Sequence, residues 1–141
     1  MSLQPLINLV KVGKLKQEAP DQAEFDGLVS SAKHKLQDAE VKSLSEDGRF
    51  TLAYGAAHSV ALAALRWHGY RSENRYLVFQ CLQHTINLEN TKWRVLDTCH
   101  KQRNLAEYEG HLEMTPQLLN ELINITHELL QRVQSLGSVS N

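Results

Sequence analysis

Apolar residues recur along this chain at intervals of three and four, and Gly and Pro fall between the periodic stretches, so the spacing predicts an all-α protein, an antiparallel bundle of four to six helices. Asp21-Gln22-Ala23-Glu24 after Pro20 has the form of a capping box. Phe25, Leu28, Ala32, Leu36 and Ala39 then mark one buried face of a helix from about residue 21 to 43. Ser45 is placed to cap the next helix, where the run from Phe50 to Leu65 leaves almost no polar side, the pattern of a central helix covered all round. Its small residues, Gly55 among them, predict close approach of a neighbouring backbone, since Gly in a helix interior otherwise costs about 1 kcal/mol against Ala. Gly69-Tyr70 breaks the run, and Ser72 is read as the cap of a segment carrying Tyr76, Phe79, Leu82 and Ile86. A further helix starts near Thr91, and Thr115-Pro116 opens the last, which carries Leu118, Leu122, Leu129 and Val133 until Gly137. The organisation expected is an arm or short helix at 1–20, a helical bundle at 21–136 and a frayed tail at 137–141, with no repeat or low-complexity segment.

Composition narrows the partners. With 42% hydrophobic residues in 141, there is apolar material for one core. Fifteen basic against sixteen acidic residues leave a formal charge of -1, so no global cationic field attracts nucleic acid or membrane, and any RNA contact must use a local patch. Cys81 and Cys99 lie in apolar helical contexts and read as reduced thiols of a cytoplasmic protein. Leu6 to Val12 is interrupted by Asn8 and Lys11, unlike a secretory signal, and the low-charge run Thr51 to Leu65 is shorter than the roughly 20 residues that span a bilayer. No membrane association is expected. Cys81, His84, Cys99 and His100 are zinc-type ligands, but adjacent residues on a helix point about 100° apart, so no metal is expected, nor any cofactor. Phosphate-cradling Gly loops and the common hydrolase motifs are absent.

Polar chemistry concentrates in His100-Lys101-Gln102-Arg103-Asn104-Leu105-Ala106-Glu107-Tyr108-Glu109-Gly110-His111. Trp93, Leu96, His100 and Arg103 follow at three, four and three, so Arg103 prolongs the core-facing stripe and needs a partner, for which Glu107 stands one turn on. Asn104 and Tyr108 are likewise one turn apart, whereas Arg94, Asp97 and Lys101 read as a solvated face. His58, alone on the apolar helix, is either a hydrogen-bonded core residue or a cleft-lining one. Arg66, His68, Arg71 and Arg75, interleaved with Trp67, Tyr70 and Tyr76, form either a solvated turn or a surface that binds phosphate and stacks bases.

On these residues the chain resembles the HEPN family (higher eukaryotes and prokaryotes nucleotide-binding). Arg103-Asn104 followed at short distance by Tyr108 is similar to that family's Arg, polar residue, short spacer, His pattern, and Phe50 to Leu65 is similar to its alanine-rich helix; together they cover about residues 24 to 133. The resemblance implies a HEPN-like bundle, a homodimer with two motifs facing one cleft, and an RNA- or nucleotide-interacting role in a bacterial defence or toxin–antitoxin system beside a nucleotidyltransferase-type antitoxin. It also implies metal-independent endoribonuclease chemistry, in which Arg103 steadies phosphate charge while Tyr108 or His111 moves a proton. Asn104 and Glu107 would orient the substrate, with His58, Arg66 and Arg71 as further contacts. The departure from the pattern is Tyr108, four residues beyond Arg103, in the place of the His; His111 follows after seven. A phenol of pKa about 10 is a poorer base near neutrality than an imidazole at about 6.5. Three outcomes follow: phosphate binding without cleavage, catalysis by His111 swung inward beyond Gly110, or a noncatalytic protein–protein interaction module.

Overall fold

The computed structural model describes residues 3–110 and 114–140, whose regular structure is helical apart from one two-stranded ladder. In order they form α1 (Gln4–Lys11), β1 (Lys16–Gln17), α2 (Gln22–Ala39), α3 (Glu46–Trp67), β2 (Tyr70–Arg71), α4 (Arg75–Gln80), α5 (Leu82–Thr85), α6 (Asn90–Glu109) and α7 (Pro116–Gln134). The long helices α2, α3, α6 and α7 make the bundle, and α3 is its axis, packing against α2 and α7 and touching α4, α5, α6 and β2. Alanines at 53, 56, 57, 61, 63 and 64 keep α3 narrow, and all are buried, so neighbours close on it from every side. Gly55 behaves differently from expectation. A Cβ there would meet the Lys35 stem at 3.5 Å and no backbone, so this glycine makes room for a lysine side chain rather than for a second helix.

Helix ends follow local chemistry. The Ser45 Oγ accepts from the Gly48 N–H at 3.0 Å, and the Thr115 Oγ1 accepts from Leu118 N–H at 3.1 Å ahead of Pro116. Asp21 caps α2 through Ala23 N–H, but the other half of the expected capping box is missing because Glu24 turns to Arg66 and Arg71. α2 stops at Ala39, four residues short of the expected end, where its apolar stripe runs out and Glu40 reaches across to His127. The cap of α4 is Asn74, whose Oδ1 accepts from Leu77 N–H; Ser72 instead accepts from Asn74 N–H in the turn before it.

The N-terminal segment is packed, with Leu6 and Leu15 buried. Gly69, at φ +90°, turns the chain so that Lys16 pairs with Arg71 and Gln17 with Tyr70 in an antiparallel ladder. Two residues per strand carry no detectable periodicity, and the sequence reading contains no strand here. The tail is docked where fraying was expected: Trp67 donates its indole N–H to the Gly137 carbonyl at 3.2 Å, and Val139 N–H donates to Gln22 at 2.8 Å. At the far side, Glu89, Lys92, Glu128 and Arg132 form a four-charge network joining the start of α6 to α7. Among the described residues no helix is long and apolar enough to cross a membrane.

Candidate functional site

A cleft of about 540 Å³ opens where α2, α3, α4 and α6 meet, with Tyr54 and Phe50 as its floor and Lys35, Arg75, Arg103 and Asp47 around them. Each cation arrives on a different helix. Lys35 on α2 lies over Gly55, with its Nζ 3.8 Å from where a Cβ would stand. Arg103 on α6 places its guanidinium carbon 5.3 Å from the centroid of the Tyr54 ring and pairs with Glu107 at 2.9 Å. Arg75, exposed at the start of α4, lies against the Tyr54 hydroxyl oxygen. Among the described residues one acid, Asp47, stands at the rim near the start of α3.

Beneath the cations runs a hydrogen-bonded row. His100 is held at both ring nitrogens, Nε2 by the Asn104 amide at 3.3 Å and Nδ1 by the Tyr54 hydroxyl at 2.9 Å. Tyr76 and Phe79 box the His100 ring, with centroids at 5.2 and 6.5 Å. Burial raises the Tyr54 pKa, with Arg103 and Arg75 opposing it, and lowers that of His100, with Arg103 and Arg75 reinforcing. His58, one turn after Tyr54, is pushed down to about 4, first by burial and then by Arg75, Lys35 and Arg103. Tyr54 and His58 on α3 and His100 on α6 thus feel the same positive field, and an uncharged imidazole is what that field favours.

The expected site residues separate into groups. Arg103 lines the cleft and also makes the ion pair with Glu107; Asn104 reaches it through His100; His58 lies beside it, packed edge-on to Phe79. Tyr108 does not join them. It is 81% exposed on another face of α6, on a shallow surface with Lys101, Asn104, Leu105 and Glu109. Five residues along a helix is about 140° of rotation, so Tyr108 cannot face what Arg103 faces within one chain. His111 lies outside the described residues.

The substrate contacts expected of Arg66 and Arg71 are corrected. Arg66 is 2% exposed, its Nε donating to Glu24 at 2.5 Å, its Nη1 to the carbonyl of Glu18 and its Nη2 to that of Ala19. Arg71 is committed to the carboxylates of Glu18 and Glu24. Arg66 on α3 and Arg71 on β2 together rivet Glu18, Ala19 and Glu24 in place, because the buried guanidinium of Arg66 requires acceptors and the segment leading into α2 supplies them. Cys81 and Cys99 are buried free thiols, raised by desolvation to about 11 and about 12, the form least able to bind metal or attack. No group of three or more metal-ligating side chains occurs among the described residues.

Lys35, Tyr54 and His100 were missed as site residues, and Arg75 was read only as one of the turn cluster that is either solvated or phosphate-binding. His100 carried a signal, since it stands three before Arg103 and four before Asn104 on the stripe that faces the core. Lys35 carried none, being one of several lysines on α2. No protein-family model and no curated protein matches this sequence.

Proposed function

We propose that this chain is an RNA- or nucleotide-interacting, HEPN-like helical protein that holds phosphate in the α2–α3–α4–α6 cleft without cutting the chain attached to it. The observation that carries the reading is the convergence of Lys35, Arg75 and Arg103 from three helices over Tyr54. Cations that converge in one cleft of a protein whose net charge is -1 suit an anion with several acceptor oxygens. Cleavage is disfavoured by the position of Tyr108, which cannot reach the phosphate that Arg103 holds, and by neutral His100 having both ring nitrogens engaged. Membership of a defence or toxin–antitoxin system, a homodimer with two facing clefts, and a nucleotidyltransferase-type partner are the roles the family resemblance adds to this reading.

The test is to incubate wild type and Arg103→Ala with mixed single-stranded RNA and nucleotides in excess EDTA, reading binding and cleavage from the same samples. The expected result is binding without cleavage, weakened about tenfold or more by the substitution, as loss of a charge-assisted hydrogen bond to phosphate predicts. Cleavage by wild type that disappears in Arg103→Ala would replace this reading with a ribonuclease. Indifference to RNA and nucleotides would favour the noncatalytic interaction module, for which the exposed Tyr108 beside Leu105 offers a surface.

A further inference from the structure

We infer that the cleft is built for a terminal phosphate, the monoester at the end of an RNA strand or on a mononucleotide, rather than for the phosphodiesters inside a strand. The inference rests on the phosphate-binding reading above and narrows it to one ligand class. Its ground is how the donors are distributed. Lys35, Arg75 and Arg103 come from α2, α4 and α6, and each is anchored at the same short stretch of α3: Lys35 over Gly55, Arg103 over the Tyr54 ring, Arg75 against the Tyr54 oxygen. The donors therefore surround a point rather than line a track. A strand threaded past its internal phosphates needs cations spaced along a groove, with one negative charge and two free oxygens at each phosphate. A phosphate monoester carries three terminal oxygens and a charge of about -1.5 to -2 near neutrality, which matches donors arriving from three sides.

Charge compensation within the protein agrees with this. Arg103 is partly neutralised by Glu107, and Asp47 stands at the rim, so a singly charged diester would meet a modest surplus and a doubly charged end a larger gain. The Tyr54 hydroxyl at the floor is already hydrogen-bonded to His100, which leaves the cations as the donors of the cleft. That floor consists of buried aromatics, Phe50 and Tyr54, both 2% exposed, whose faces are covered by their neighbours. The cleft thus offers donors to a phosphate where a base would need a free ring to stack on.

The experiment compares one short RNA oligomer bearing a 5′- or 3′-phosphate with the same oligomer ending in hydroxyls, by fluorescence anisotropy in EDTA, on wild type, Arg75→Gln, Lys35→Gln and Lys101→Gln. Lys101 lies on another face of α6, paired with Asp97, and serves as the control. A phosphorylated end should bind about tenfold or more tightly than the hydroxyl end. Lys35→Gln and Arg75→Gln should erase that preference, Lys101→Gln should keep it, and inorganic phosphate should displace the phosphorylated oligomer from wild type. Equal binding of all ends overturns the inference while leaving RNA binding intact, and a preference that survives in both cleft variants overturns it as well. Absence of binding to every oligomer and to nucleoside monophosphates overturns the phosphate-binding reading together with it. Helical circular dichroism of each variant separates lost contacts from lost folding.

Discussion

Arg66 and Arg103 are both arginines on helices that face the core, and their surroundings give them opposite roles. Arg66 is sealed against Glu24 and two carbonyls of the N-terminal segment, so Arg66→Ala would empty a buried site, leave both carbonyls without their donor and leave Glu24 with Arg71 alone. Such a loss costs about 3 to 5 kcal/mol, read as a shift in urea unfolding, whereas Lys101→Ala, on an exposed ion pair, should cost under about 1 kcal/mol. His58 predicts an acid sensitivity. Burial and then Arg75, Lys35 and Arg103 hold its pKa at about 4, while in the unfolded chain it titrates at about 6.5. The neutral ring therefore contributes its full stability above pH 6.5, and that contribution is lost as pH falls from there towards 4. Wild type should lose on the order of 2 kcal/mol more than His58→Gln between pH 7 and 4 in denaturant unfolding, after allowance for a half-buried ring. His100 and His68, also lowered by burial, share the direction, and an equal loss in wild type and His58→Gln would remove His58 from the account.

At the level of the element, α3 and α6 show how far pattern alone reaches. The alanine run of α3 predicts a covered helix, and the covering is complete enough that Ala57→Leu should destabilise by about 1 to 3 kcal/mol through overpacking, measured by thermal unfolding. The end of α6 was also readable: Gly110 adopts φ +66° at the helix C-terminus, a conformation that costs little only for glycine. Gly110→Ala should cost about 1 kcal/mol although a Cβ there meets nothing within 4 Å, which separates backbone strain from crowding. Caps were readable to the extent that one candidate stood alone. Ser45 and Thr115 were identified, but Ser72 was read as the cap that Asn74 in fact supplies, since both side chains suit a cap and only the path of the turn selects Asn74.

For the molecule as a whole, charge balance and cleft charge point in different directions, and salt separates them. A chain of net charge -1 that binds RNA must do so through local cations, so the logarithm of affinity should fall with the logarithm of salt with a slope set by the few cleft contacts. Arg103→Ala should reduce that slope by about one; an unchanged slope would place the RNA elsewhere on the surface. Assembly is testable in the same preparation. Light scattering that gives a monomer at high concentration would dismiss the two-cleft dimer and leave each cleft to act singly.

The amino-acid sequence by itself determined the helical class, the covered central helix, most helix ends and the placing of Arg103 on an inward stripe, because each of these depends on residues within a turn or two of one another. Tertiary structure alone decided what the charges do. Arg66 and Arg71 meet Glu18 and Glu24 from more than forty residues away, and Lys35, Arg75 and Arg103 meet over Tyr54 from three separate helices. A charged side chain reads the same in sequence whether its counter-charge is water, a buried carboxylate or an open cleft, since what distinguishes these is the desolvation and the partner that folding brings to it.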